Sequence, residues 1–90
     1  MSEAADPLGE LRARIGANDR AIVEAVNERL RLVTELWELK ERQGAERFDP
    51  DRERRLRKEL ASANDGPLSP EGLDALVTEL LALTKRELEG

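Results

Sequence analysis

The sequence predicts an all-α fold with three helices per protomer, the first of them very long. The four prolines stand at positions 7, 50, 67 and 70, so the 42 residues between the first two contain none. Apolar residues in this stretch recur at steps of three, four or seven, which is the period of a helix. The chain contains no strand signals, and we expect residues 1–90 to form a single small domain.

Helix 1 is predicted over about residues 8–43. Its apolar positions run from Leu8 to Trp37. Gly16 costs about 1 kcal/mol relative to Ala, but the pattern continues beyond it. Gly44 follows a polar last turn and indicates the C-terminal stop.

Helix 2 is predicted over about residues 50–63 and helix 3 over about residues 70–88. Asp49 and Ser69 are suitable N-cap residues, and each is followed by a proline at the first helical position. The segment 64–67, Asn-Asp-Gly-Pro, is typical of the turn between the two helices.

The length of helix 1 predicts an intertwined homodimer. Thirty-six helical residues span about 54 Å, whereas a compact chain of this size has a radius of gyration of about 12 Å. Two short helices cannot cover the whole apolar stripe, so a second copy is expected to cover the remainder. The alternative is a helix that frays or kinks near Gly16.

The composition excludes several kinds of chemistry. The chain has no His, Cys or Tyr, so it has no thiol nucleophile, disulfide, Cys/His zinc site or histidine base. We expect no metal and no cofactor. The missing disulfides, signal peptide and apolar span favour a cytoplasmic protein without membrane contact. A net charge of −5 argues against a nucleic-acid partner.

Cations on helix 1 suggest a site for a small dianion. Arg outnumbers Lys twelve to three, and Arg binds carboxylates in a bidentate manner, although codon bias gives the same excess. Arg29 and Lys40 differ by about 20° in direction and about 16 Å in height. Arg12 cannot reach the same ligand within its own chain. An antiparallel partner helix would bring the partner's Arg12 between the other two cations.

The start of helix 2 offers a second polar cluster. Asp49, Arg52 and Glu53 stand at positions i, i+3 and i+4, hence on one side of the helix. The N-terminus of a helix also favours an anion. The ordinary interpretation is that Asp49 is only a cap and the other two belong to a solvated charged face.

The order and spacing of these residues closely resemble the all-helical class of chorismate mutases. The resemblance covers about residues 7–88. The segments that carry it are Leu11–Ile15 with Asp19, Asn27–Leu30, Lys40 and Phe48–Glu53.

This resemblance implies intertwined dimers with two equivalent active sites that convert chorismate to prephenate, a step towards Phe and Tyr. Arg29 and the partner's Arg12 would hold the two carboxylates. Lys40 would contact a carboxylate and the ether oxygen. Asp49 and Glu53 would bind the ring hydroxyl.

The remaining site positions also follow from the resemblance. Arg52 would support the hydroxyl-binding region, and the apolar walls would be formed by Leu36, Leu56 and Leu81.

Catalysis would need no nucleophile and no proton transfer. It would come from selection of the compact substrate conformer and from stabilising charge as the C–O bond breaks.

The match is poorer on helix 3. Thr84 fits the family's hydroxyl position, but Leu88 stands where the family often carries Gln or Glu near the ether oxygen. Glu87 would substitute if the helix shifted in register. The missing donor implies low intrinsic activity or a site completed by another protein, for which the first enzyme of the shikimate pathway is a plausible partner.

Three other functions stay open. On the same fold the substrate could be 4-amino-4-deoxychorismate, because Asp49 and Glu53 suit an amino group as well as a hydroxyl. The reaction could instead be pyruvate elimination from isochorismate. A third possibility, from a different functional class, is a non-catalytic helical module whose long helix serves only for dimerisation.

Overall fold

A computed structural model describes residues 6–89, and in this range three helices follow one another without a strand. They are α1 (Pro7–Gln43), α2 (Pro50–Ala63) and α3 (Pro70–Glu89). The predicted all-α class is confirmed. Among the described residues, no helix combines the length and the apolar character needed to cross a membrane.

α1 begins one residue earlier than the apolar pattern predicts because Asp6 caps it. The Asp6 carboxylate accepts a hydrogen bond from the Gly9 N–H at 3.1 Å, and its carbonyl accepts from the Glu10 N–H at 3.0 Å. Pro7 then occupies the first helical position, where its missing N–H costs nothing. The helix continues through Gly16, so the glycine does not end it.

α1 ends in a Schellman motif at Gly44. The Ala45 N–H donates to the Lys40 carbonyl at 2.8 Å, and the Gly44 N–H donates to the Glu41 carbonyl at 3.2 Å. Gly44 has a φ of 72°, in the left-handed region that a side chain disfavours. The predicted stop is therefore confirmed with its backbone cause.

Both short helices begin at the predicted caps. The Asp49 carboxylate accepts from the N–H groups of Asp51 and Arg52 at the start of α2. At the start of α3, the Ser69 hydroxyl oxygen accepts from the Gly72 N–H at 3.0 Å. In the turn between them, the Asn64 side-chain amide donates to the Leu68 carbonyl at 2.9 Å.

Arg57 joins α2 to α3. Its guanidinium lies 2.6 Å from a carboxylate oxygen of Asp74 and donates to the Thr78 hydroxyl at 3.1 Å. The Arg57 side chain is one-third exposed but that of Asp74 is 70% exposed, so water still screens this ion pair. Arg57 thus links α2 to two successive turns of α3.

The described chain divides into two compact units with the boundary between Val33 and Thr34. The first unit contains the N-terminal part of α1. Six of its large apolar side chains are 52–60% exposed, namely Leu8, Leu11, Ile15, Ile22, Val23 and Leu32. Such a row of exposed apolar residues favours association, because burying it removes unfavourable contact with water.

The second unit contains the end of α1, α2 and α3. Val77 and Trp37 are its buried apolar residues, with 2% and 8% of their surface exposed, and Thr84 is also buried. Leu56, Leu60 and several leucines of α3 are only half-buried. The core of this unit is therefore small.

The Schellman motif gives a direct test. We expect Gly44→Ala to lower the free energy of unfolding by about 1–2 kcal/mol, because an L-residue disfavours positive φ. Urea unfolding followed by circular dichroism, at one fixed protein concentration, measures this change.

The matched control is Gly66→Ala. Gly66 has no positive φ, and nothing lies within 4 Å of the position that a Cβ would occupy. This variant should stay within about 0.5 kcal/mol of the wild type or gain slightly from reduced chain entropy. An equal loss in both variants would contradict the role given to Gly44.

Candidate active site

Lys40 lies in the last turn of α1 with its side chain half-buried. Its ammonium group donates a hydrogen bond to the Arg47 carbonyl at 3.0 Å. Arg47 stands two residues before Asp49, so this bond brings the Lys40 cation to the segment that leads into α2. An ammonium has three donors, so two remain for other acceptors.

Asp49 and Glu53 occupy consecutive turns at the start of α2. The Glu53 N–H donates to the Asp49 carbonyl at 3.1 Å, which places them on one side of the helix. Both N–H groups that Asp49 caps bind the same carboxylate oxygen, Oδ1, at 3.1 and 3.2 Å. Its other oxygen, Oδ2, therefore stays available.

The Glu53 side chain is half-buried, and within residues 6–89 its carboxylate has no hydrogen bond or ion pair. A carboxylate removed from water normally has a partner, because an uncompensated charge is costly. Glu53 is thus suited to accept a hydrogen bond from a ligand.

Arg52 points elsewhere. Its guanidinium donates to the Glu59 carboxylate at 3.4 Å, and both side chains are more than half exposed. Its backbone N–H binds the Asp49 carboxylate. The contact of Arg52 with this cluster is therefore made through the backbone.

The apolar residues expected at the walls differ in exposure. Leu56 and Leu81 are half-buried, whereas Leu36 is 46% exposed. Thr84 is buried, and its hydroxyl donates to the Leu80 carbonyl of the same helix at 2.8 Å. An acceptor role of the Thr84 oxygen is compatible with that bond.

Arg12 and Arg29 belong to the first unit, whereas all other expected site residues belong to the second. The Arg12 side chain is exposed and the Arg29 side chain is half-buried. Both lie on α1. Their participation in one site stays a prediction.

The end of α3 lines a groove of its own. Glu87 and Leu88 border an open groove of about 290 Å³ together with Trp37, Glu41 and Arg47, among others. The groove lining does not include Lys40, Asp49 or Glu53. The suggestion that Glu87 replaces a donor near the ether oxygen therefore gains no support from its surroundings.

The structure also reveals a cluster that sequence reasoning did not find. The Arg47 guanidinium lies 4.5 Å from the centre of the Trp37 ring. The ring of Phe48 meets Trp37 edge-on, with 5.8 Å between the centroids and 76° between the planes. Lys85 of α3 places its ammonium 4.8 Å from the centre of the Phe48 ring. We call these four residues the aromatic cluster.

The main sequence signal for the aromatic cluster is that aromatic residues are rare in this chain. Trp37 and Phe48 are the two aromatic residues of the whole chain. Aromatic rings prefer edge-to-face contacts and attract cations to their faces. An Arg directly before the Phe was therefore a usable hint, but nothing local indicated which ring it would cover.

Comparisons with known proteins identify the family and the fold. The model of the chorismate mutase type II family matches residues 11–89. Among solved structures, a chorismate mutase from Thermus thermophilus is similar, with a TM-score of 0.83 and 29% sequence identity. The alignment covers 88% of this chain and 99% of that one. A search of curated proteins found no match.

The helical fold is that of an all-helical chorismate mutase, which is an isomerase. The chain belongs to the chorismate mutase type II family.

The capping role of Asp49 can be measured separately from any ligand. Asp49→Ala should lower the free energy of unfolding by about 1 kcal/mol, because the N–H groups of Asp51 and Arg52 lose their acceptor. Urea unfolding at fixed protein concentration measures this loss.

Asp49→Asn is the matched control, because an amide oxygen caps a helix about as well as a carboxylate does. It should remain within about 0.5 kcal/mol of the wild type. The same loss in both variants would show that the charge, and not the cap, is the stabilising feature.

Proposed function

We propose that the whole chain acts as one catalytic domain that converts chorismate to prephenate. The observation that carries this proposal is the extent of the family match. Residues 11–89 include every expected site residue, from Arg12 to Leu88. The similar solved structure is that of a chorismate mutase, and it is aligned over almost its entire length.

The mechanism that we propose is electrostatic and conformational. Chorismate carries two carboxylates, and its rearrangement moves charge towards the ether oxygen as the C–O bond breaks, without any proton transfer. Arg29 and the partner's Arg12 hold the carboxylates in the fork geometry of guanidinium groups. Holding the reacting ends together in this way supplies much of the rate acceleration.

Lys40 stabilises the charge that develops on the ether oxygen. Its bond to the Arg47 carbonyl leaves two ammonium donors, enough for one carboxylate and the ether oxygen. Because the cation is half-buried, its field is less screened by water than that of a surface lysine.

Asp49 and Glu53 bind the ring hydroxyl. The support for this role is the available Oδ2 of Asp49 and the half-buried Glu53 carboxylate without a partner in the described chain. Arg52 contributes through its N–H to Asp49, while Leu36, Leu56 and Leu81 form apolar walls. Thr84 supplies a hydroxyl oxygen on α3.

We propose that the active form is a homodimer in which Arg12 crosses to the other protomer. The exposed apolar residues of the first unit support this proposal, because a second copy of the same helix would cover them. The exposed Arg12 stands among them, directly after Leu11.

Lys40→Ala should lower kcat by about 10²–10³, the usual effect of removing one preorganised donor. Loss of chorismate absorbance measures turnover, and circular dichroism checks that the helices remain. Lys58→Ala is the matched control, since Lys58 is an exposed lysine on α2 outside the proposed site.

A Lys40→Ala variant with wild-type turnover would overturn the assignment of Lys40. The substrate would instead be reassigned if the wild type did not turn over chorismate but did turn over the 4-amino analogue or release pyruvate from isochorismate. Absence of all three reactions would favour the non-catalytic helical module.

Mixing two inactive variants tests the shared site. In a dimer of one Arg12→Ala and one Arg29→Ala chain, one site is intact and the other lacks both guanidinium groups. After complete exchange, about a quarter of the wild-type sites should be active. Native mass spectrometry verifies that mixed dimers have formed, and no recovery in their presence would contradict the crossing of Arg12.

A further inference from the structure

The Lys40 side chain depends on a group outside the family pattern. Its ammonium is held by the backbone carbonyl of Arg47, a residue of the connection between α1 and α2. A lysine side chain has a flexible four-carbon stem, so an unheld ammonium samples many positions. A fixed carbonyl restricts this range before any ligand arrives.

The side chain of Arg47, whose carbonyl accepts this hydrogen bond, has a contact of its own. The guanidinium stacks on Trp37 at 4.5 Å from the ring centre, and Trp37 is only 8% exposed. The neighbouring Phe48 packs edge-on against the same ring and lies beneath the Lys85 ammonium. The two residues that flank this peptide bond, Arg47 and Phe48, thus both contact the Trp37 ring.

We propose that Arg47 is a positioning residue for Lys40: its stack on Trp37 fixes the carbonyl that orients the ammonium. This proposal rests on the proposed function, because it matters for the rate only if Lys40 contacts the substrate. A transition state gains from a cation that is already in place, since no reorganisation is needed during the reaction.

Arg47→Ala removes the stack but keeps the carbonyl in the chain. We expect kcat to fall by about 10-fold, less than after loss of the Lys40 cation itself, with KM changed by less than about 3-fold. Arg47→Lys can still place a cation on the Trp37 face and should recover most of kcat.

Arg42→Ala is the matched control. Arg42 is another exposed arginine near the end of α1, and it lies outside the aromatic cluster. Its loss changes the net charge equally, so it should leave kcat unchanged. Equal losses of kcat in Arg42→Ala and Arg47→Ala would overturn the proposal in favour of a general charge effect.

The fluorescence of Trp37 reports the stack directly, because it is the single tryptophan of the chain. We expect its emission to shift to longer wavelength in Arg47→Ala, which exposes the ring to water, and to remain near the wild-type value in Arg47→Lys. A shifted emission with wild-type kcat would show that Lys40 does not need the stack and would overturn the proposal.

Two outcomes keep this test separate from the proposed function. An inactive wild type would overturn the proposed function. If the wild type is active and Lys40→Ala is impaired, a fully active Arg47→Ala would overturn only the positioning role. Should Arg47→Ala lose its helical circular dichroism, Arg47→Gln is measured in its place. Wild-type kcat in the folded Gln variant would equally overturn the proposal.

Discussion

The burial of the Trp37 indole is the interaction on which the geometry of the second unit depends. Phe48 packs against this ring and directly precedes Asp49, so the contact holds the N-cap of α2 next to the last turns of α1. Arg47 covers the ring, and its carbonyl receives the Lys40 ammonium. One buried side chain therefore contacts both residues that lie between the Lys40 ammonium and the cap of α2.

Two backbone features bound the connection that packs against this indole. The Schellman motif at Gly44 stops α1 directly after the turn that carries Lys40, and the Asp49 cap starts α2 five residues later. The connection between the two helices is therefore short, and few conformations are open to it. The proposed rearrangement needs placed charges and no proton transfer, so it suits a site whose groups are held by backbone contacts in this way.

The helix bounds were largely predictable because their signals are local. Asp49-Pro50 and Ser69-Pro70 define the two short helices at the predicted residues. The start of α1 was missed by one residue, since the apolar pattern begins at Leu8 whereas the cap is Asp6. The end of α3 was likewise predicted one residue early, because no cap marks it in the sequence.

The site was predictable to a smaller degree. The proposed roles of Arg12, Arg29 and Thr84 come from the spacing and the family resemblance, and they stay predictions, as do the dimer, the cytoplasmic location and a partner enzyme. The aromatic cluster could not be predicted, because Lys85 is distant in sequence from Phe48 and their meeting depends on packing. A backbone carbonyl such as that of Arg47 has no sequence signature at all.

The sparse burial within residues 6–89 has a consequence for how this protein responds to dilution. A chain with so few enclosed side chains gains much of its hydrophobic stabilisation only when another surface covers the exposed row on α1. With a second copy as the cover, unfolding and dissociation become one equilibrium governed by mass action. The melting temperature then falls as the protein is diluted, and the cell's expression level becomes a determinant of how much of the chain is folded.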